Sequence, residues 1–389
     1  MNPSIYRQLD APFVRIGTES VKWDLLGQFG NPDALPMWIA DMDFPTAPGI
    51  IEGLMARTAH GAFGYTLGED RDKQATADWF KTRHALDISP EDIHFCPGVV
   101  DALYHVLKAL FVPGSRIVVQ PPVYKPFYDM AKKAGMKVLE NPLMQTESGW
   151  KMDPDGLEEI FRQGADGLIL CSPHNPVGRV WTRRELADLA DLCARYGVRI
   201  ISDEIHADFE LKGAVHTCIL SLPRANSAVQ LVSATKTFNL AALRHSAIFC
   251  RDRHTAALIE SRLAEVMTDV NLYGRLATRL AYETGAEWLD TLLEYLAEGR
   301  DLLENGINET GVLKASHSEG TYLCWVDCRA LGMENDALKE WFIKTAGIVP
   351  NEGTFFGQAG NGFVRLNFAT RHDNIREAVR RIQEAVKNK

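Results

Sequence analysis

The sequence predicts an α/β protein with a mostly parallel central sheet in a large domain and a smaller α+β domain beside it. Three observations carry this expectation. The 389 residues are too many for one compact core and enough for two domains. From about residue 96 to 250, short apolar runs rich in β-branched residues alternate with amphipathic helical stretches. That is the pattern of buried parallel strands covered on both faces. After about residue 288 the alternation stops, and long helical stretches flank two apolar strands.

The expected strands of the large domain are Arg116–Gln120, Lys137–Leu139, Gly167–Cys171, Arg199–Ser202, Gln230–Ser233 and Ala247–Cys250. The helices between them are Asp101–Phe111, Tyr124–Ala134, Asp155–Phe161, Arg183–Tyr196 and Thr255–Met267. The second domain is expected to hold a helix at Trp288–Asn305, a strand at Thr321–Val326, a helix at Asn335–Ala346, a strand at Phe363–Phe368 and a C-terminal helix. The boundaries that follow are 46–287 for the large domain, and 1–45 plus 288–389 for the small domain with the N-terminal segment. That first segment is irregular and proline-rich, and is expected to pack on the small domain or on a partner subunit.

Composition narrows the function classes. With 46% hydrophobic and 24% charged residues the chain reads as an ordinary globular protein. Its 42 basic and 51 acidic residues leave a charge of −9 and no basic run, so no nucleic-acid partner is expected. No apolar run approaches the ~18 residues that span a bilayer, and Met1-Asn-Pro-Ser-Ile-Tyr-Arg lacks the apolar stretch of a leader. The seven scattered cysteines read as reduced core thiols. No membrane partner and a cytoplasmic location are the corresponding expectations.

The chemistry is carried by residues at or just past predicted strand ends, where ligands collect in such sheets. Lys236 lies in Ser233-Ala-Thr-Lys-Thr-Phe, flanked by hydroxyls, as an amine presented to an aldehyde would be. Asp203 ends Arg199-Ile-Ile-Ser-Asp and can hold a proton on a ring nitrogen by a charge-assisted bond, or simply cap the next segment. Asn175, in Ser172-Pro-His-Asn-Pro-Val-Gly, offers an amide to a ring oxygen, and also reads as a common turn. His206 is either a second ring neighbour or an ordinary buried histidine. Together these residues point to pyridoxal 5′-phosphate (PLP), whose Schiff base with Lys236 would be displaced by the substrate amine.

A phosphate wants helix N-terminal amides, hydroxyls and an arginine. Val99 and Val100 open a predicted helix after Pro97-Gly98, Ser233 and Thr235 flank the lysine, and Arg244 follows it. Tyr124, in Gln120-Pro-Pro-Val-Tyr, can lie flat on the ring or pack as a loop aromatic. Arg365 is a charge inside the apolar strand Gly362-Phe-Val-Arg-Leu-Asn-Phe. It should meet an anion, either the substrate's α-carboxylate or a structural acid.

These motifs resemble fold-type I PLP enzymes, and within them the MalY/PatB-type cystathionine β-lyases of the aminotransferase class I/II family. The resemblance covers nearly the whole chain. It rests on Arg15-Ile-Gly-Thr-Glu-Ser-Val-Lys-Trp-Asp, Pro36-Met-Trp-Ile-Ala-Asp-Met-Asp-Phe, Phe63-Gly-Tyr-Thr, Ser202-Asp-Glu-Ile-His, Lys236-Thr-Phe-Asn-Leu-Ala, and Gly353-Thr-Phe-Phe-Gly leading to Arg365. It implies a homodimer with shared active sites, in which Tyr65 reaches the phosphate held by the other chain. It also implies that Ile39 and Ala40 line the substrate site and that Lys236 removes the Cα proton of a cysteine S-conjugate. Cystathionine or a related conjugate would then yield a thiol, pyruvate and ammonia. Two positions depart from the group: Ala242 stands where glycine is usual, and Arg244 is more typical of aminotransferases. An aminotransferase using the same site is therefore the alternative. A metal-assisted hydrolase built on His174, Asp203, Glu204, His206 and Asp208 would leave Lys236 and Arg365 unexplained, so no metal is expected.

Overall fold

Short runs of buried apolar residues build the central sheet, here a computed structural model that describes residues 1–266 and 269–389. Its strands are β1 (Ile93–Cys96), β2 (Arg116–Val119), β3 (Lys137–Glu140), β4 (Gly167–Cys171), β5 (Arg199–Asp203), β6 (Val229–Val232) and β7 (Ser246–Phe249). β4, with the sequence Gly-Leu-Ile-Leu-Cys, is buried along its whole length, as expected of a strand covered on both faces. The spatial order is β1-β7-β6-β5-β4-β2-β3. β7 runs antiparallel to both neighbours, while β2 to β6 pair in parallel. Lying antiparallel to β7, β1 points the same way as β6. The loops after β1, β2, β4, β5 and β6 therefore leave the same end of the sheet.

Helices fill the crossovers, and their ends are written in the sequence. Thr182 and Glu185 form a reciprocal capping box at the start of Arg183–Tyr196, and Gly197 ends that helix at φ 68°, where a side chain would be strained. Asp153 and Asp252 cap Pro154–Arg162 and Arg253–Glu265 with their carboxylates. The expected helix Thr255–Met267 corresponds to Arg253–Glu265, and Met267 lies outside the described residues. The expected helix Asn335–Ala346 is helical over Asn335–Glu340 and widens into a π turn over Trp341–Thr345.

A second, antiparallel sheet holds β8 (Lys314–Ala315), β9 (Leu323–Asp327), β10 (Asn351–Glu352) and β11 (Phe363–Asn367), in the order β8-β9-β11-β10. Trp325 of β9 stacks on Phe363 of β11, with centroids 5.1 Å apart. Helices Ala286–Asn308 and His372–Lys387 pack on one another beside this sheet.

The N-terminal segment is more ordered than its composition suggests. Helix Pro3–Asp10 packs on Ala286–Asn308, and Leu35–Pro36 pairs in parallel with Ile348–Val349. Buried charges pin the rest. Lys22, fully buried, donates to Asp43 at 2.9 Å, and Arg15 reaches Asp41 at 2.8 Å and Asp43 at 3.1 Å. Asn239, held at φ 56° just past Lys236, accepts from the Met42 amide and donates to the carbonyls of Met42 and Phe44. This clamp lays residues 39–44 against the lysine turn.

Candidate active site

A cavity of about 460 Å³ lies beyond the C-terminal ends of the parallel strands. Lys236 enters it from the short helix Ala234–Thr237 that follows β6, and Ser233 caps this turn through the Thr235 amide. The Lys236 ammonium donates to the Ala40 carbonyl at 2.5 Å, and the Tyr322 hydroxyl donates to the same oxygen at 2.9 Å. Burial, followed by the Arg365 charge, lowers the amine to about 8. A lysine lowered this far still carries its proton for the most part at neutral pH, but gives it up far more readily than an exposed one.

Asp203 closes β5 and is 5% exposed. Its Oδ1 accepts from the Ile205 amide at 3.1 Å. Burial pushes its carboxyl up to about 7, a sign that the cavity favours its charge only when a cation arrives. His206 sits beside it, and burial with the Lys236 and Arg365 charges lowers its ring to about 3, leaving Nδ1 buried without a partner.

Asn175 and Arg365 form the opposite side of the cavity. Arg365 Nη1 donates to Asn175 Oδ1 at 3.1 Å, and Nη2 donates to the Trp38 carbonyl at 2.8 Å. The bond to Oδ1 leaves the Asn175 amide nitrogen free to donate elsewhere. Arg365 is 2% exposed, its Nε has no partner, and among the described residues its other nitrogens meet only an amide and a carbonyl oxygen and no carboxylate. Burial lowers even its guanidinium, to about 10. The structural-acid alternative for Arg365 is thereby set aside, and an anionic ligand is the partner the site lacks.

At the other end, Gly98 caps helix Val99–Leu110, whose first residues Val99 and Val100 line the cavity together with Thr235 and Arg244. Arg244 pairs with Asp101 at 2.7 Å. Tyr124, after β2, lies on the wall with its ring 6.3 Å from that of Phe355. Ile39 and Ala40 complete the lining on the side of the N-terminal segment.

Two residues singled out from the sequence lie elsewhere. Ser233 is not part of the lining, because its hydroxyl donates to the His245 carbonyl at 2.5 Å and bonds Thr235 Oγ1 at 2.7 Å. Tyr65 is fully exposed on the loop before helix Glu69–His84. Others were missed. Cys171, whose sulfur accepts from the Asn175 amide at 3.4 Å, and Asn351, paired in register with Arg365, both line the cavity. Neither carries a local signal, although Phe355 lies in a motif already noted.

The five residues of the metal alternative do not gather. Among the described residues, the one group able to hold a metal is Glu204, His216 and Cys218, fully buried, with His216 already 2.9 Å from Glu204. Asp208 is engaged by Trp79, His84 and Thr237.

Comparison with known proteins gives the family of the chain. Residues 50–382 match the family model for aminotransferase class I and II. The chain is 39% identical to cystathionine beta-lyase PatB of Bacillus subtilis over 378 residues, covering 96% of this chain and 98% of that one. The solved structure of cystalysin from Treponema denticola, which contains a pyridoxal 5′-phosphate cofactor, superposes with a TM-score of 0.93 at 31% identity, covering 98% of each chain. The PLP-bound C-S lyase from Staphylococcus hominis gives 0.90 at 26% identity, covering 97% of each. The chain belongs to the aminotransferase class I and II family.

Proposed function

We propose that this chain is a PLP-dependent carbon–sulfur β-lyase that cleaves cysteine S-conjugates to a thiol, pyruvate and ammonia. The observation that carries the reading is one cavity holding an amine, a buried acid and an arginine without an acid partner. The residues fit the cofactor. Asp203, raised by burial, suits a protonated ring nitrogen, the free amide of Asn175 suits the ring oxygen, and Tyr124 suits a stacked ring. The Val99 and Val100 amides, Thr235 and Arg244 would hold the phosphate.

When bound, the cofactor supplies an electron sink for bonds at the Cα of an amino acid. Arg365 fixes the α-carboxylate as a two-pronged donor, which orients the Cα–H bond. Lys236, lowered towards neutrality, takes the Cα proton at Nζ, and the Ala40 carbonyl holds that amine in place. Asp203 would hold a proton at the ring nitrogen, and Tyr124 with Phe355 would exclude water from one side. The thiolate then leaves Cβ and takes up the proton removed from Cα, and the released aminoacrylate reacts with water to give pyruvate and ammonia.

Purified protein with S-alkyl cysteine or cystathionine should release pyruvate with no keto acid acceptor present. Strict dependence on an acceptor would assign the aminotransferase reading instead, which uses the same residues up to the proton transfer.

The same reading makes the protein a homodimer. Phe63, Tyr65 and Leu67 are exposed apolar side chains on one loop, which suits insertion into a second copy. Tyr65 would reach the phosphate of the partner site. It also divides the chain into a large domain at 46–287 and a small one at 1–45 plus 288–389, supported by the two sheets falling on either side of residue 288. Among the described residues no helix is long and apolar enough to cross a membrane. A cytoplasmic location is proposed on the seven free, buried cysteines.

A further inference from the structure

We infer that the site selects cysteine conjugates with an uncharged apolar thio substituent over zwitterionic ones such as cystathionine. This rests on the reading of the cavity as an amino-acid site, and it concerns the side-chain end alone.

Each charge lining the cavity already has an assigned partner. Arg244 is paired with Asp101 at 2.7 Å at the phosphate end. Asp203 and Lys236 serve the ring and the reacting carbon, and Arg365 serves the α-carboxylate. The two histidines of the lining, His206 and His245, are held uncharged by burial. Among the described residues, no cation or carboxylate of the lining is left for a second amino-acid head group.

What remains near Arg365 is an apolar wall with two neutral amides, Asn175 bonded to the arginine and Asn351 beside it. Asn351 lies beside Arg365 on the neighbouring strand, and Phe355 follows on the short helix Gly353–Phe356. Tyr124 faces Phe355 with ring centroids 6.3 Å apart, and Ile39 lines the side towards Ala40. The loop that a partner subunit would add, Gly61-Ala-Phe-Gly-Tyr-Thr-Leu-Gly, carries no charge either. An alkyl or aryl thioether buries carbon against Phe355 and Ile39, whereas a zwitterionic tail must shed water from two charges with nothing to pair them. Phe355 is the specificity-determining residue of this wall.

The test compares S-butyl-L-cysteine with L-cystathionine on the PLP-loaded enzyme. Their thio substituents have similar length, and one is uncharged. Two readouts are taken: kcat/KM for pyruvate release, and dissociation constants from the visible absorbance of the bound cofactor. S-butyl-L-cysteine should lead by roughly tenfold or more in both. Phe355→Lys, which offers a counter-charge, should narrow the ratio by about tenfold, while Phe355→Leu keeps it. An equal or reversed preference in the unmodified enzyme overturns the inference, as does the same ratio in both variants. If no conjugate yields pyruvate but the dissociation constants keep this order, the lyase reading falls and the selectivity stands.

Discussion

Arg365 and Asn175 lie 190 positions apart in the chain, and a hydrogen bond of 3.1 Å joins them across the two sheets. The bond orients both side chains: Arg365 is held between Asn175 and the Trp38 carbonyl, and Asn175 is left with its amide nitrogen to give. The substrate-binding and cofactor-facing sides of the cavity are thus one hydrogen-bonded unit.

Arg365→Lys should therefore damage substrate binding far more than folding. The lysine keeps the charge but loses the planar two-pronged grip, so kcat/KM should fall by roughly 100-fold, mostly through KM. Steady-state kinetics on S-alkyl cysteines would show it. An unchanged KM would place the carboxylate elsewhere.

Lys236→Ala removes both the attachment point and the base. Turnover should fall by at least roughly 1000-fold. Borohydride treatment, which fixes the cofactor to the unmodified chain, should leave the variant unlabelled in a mass spectrum. Retained turnover would end the assignment.

Asp203→Asn should make the cofactor-free protein more stable at pH 8 while weakening cofactor binding. The folded carboxyl, near 7, lies above its ordinary value of 3.8. Between these values the folded chain keeps a proton that the unfolded chain releases. The stability this group contributes is complete below about pH 4 and is lost as pH rises through 7. The asparagine avoids that loss, worth about 2–4 kcal/mol at pH 8, and should change little at pH 4. Thermal melts of the cofactor-free proteins at the two pH values would reveal the difference.

Asp208→Ala should be strongly destabilising, with no new chemistry. Asp208 accepts from Trp79 Nε1 at 3.0 Å and Thr237 Oγ1 at 2.7 Å, and it pairs with His84 Nε2 at 2.9 Å, all buried beneath the Lys236 turn. Deleting it strands these groups and should cost about 3–5 kcal/mol. Urea unfolding should show a lower midpoint, and a midpoint within error of the unmodified protein would contradict the account.

Mixing two inactive variants tests the shared site. Tyr65→Ala and Lys236→Ala each damage every site in their own dimers. Unfolded and refolded together at equal amounts, they should regain about a quarter of full activity, since half the dimers are mixed and each carries one intact site. No recovery in dimers shown to have exchanged would argue that Tyr65 serves its own chain or none.

The sequence by itself determined most of the sheet and the three residues gathered at its carboxyl end. Buried β-branched runs have one comfortable arrangement when helices alternate with them, and parallel strands send their carboxyl ends to one side. Lys236, Asp203 and Asn175, each at or after a strand end, therefore had to meet, and each expected strand lies within a residue or two of an observed one, although β1, β8 and β10 were not among those expected. Only the tertiary structure decided that β7 runs against its neighbours, that Ser233 turns to the His245 carbonyl, and that Arg365 has no acid partner. It also decided that the Ala40 carbonyl receives both Lys236 and Tyr322. The reason is physical. Periodicity and capping are set by neighbours a few residues away, whereas pairing of a buried polar group is settled by chain segments hundreds of residues distant that close on it.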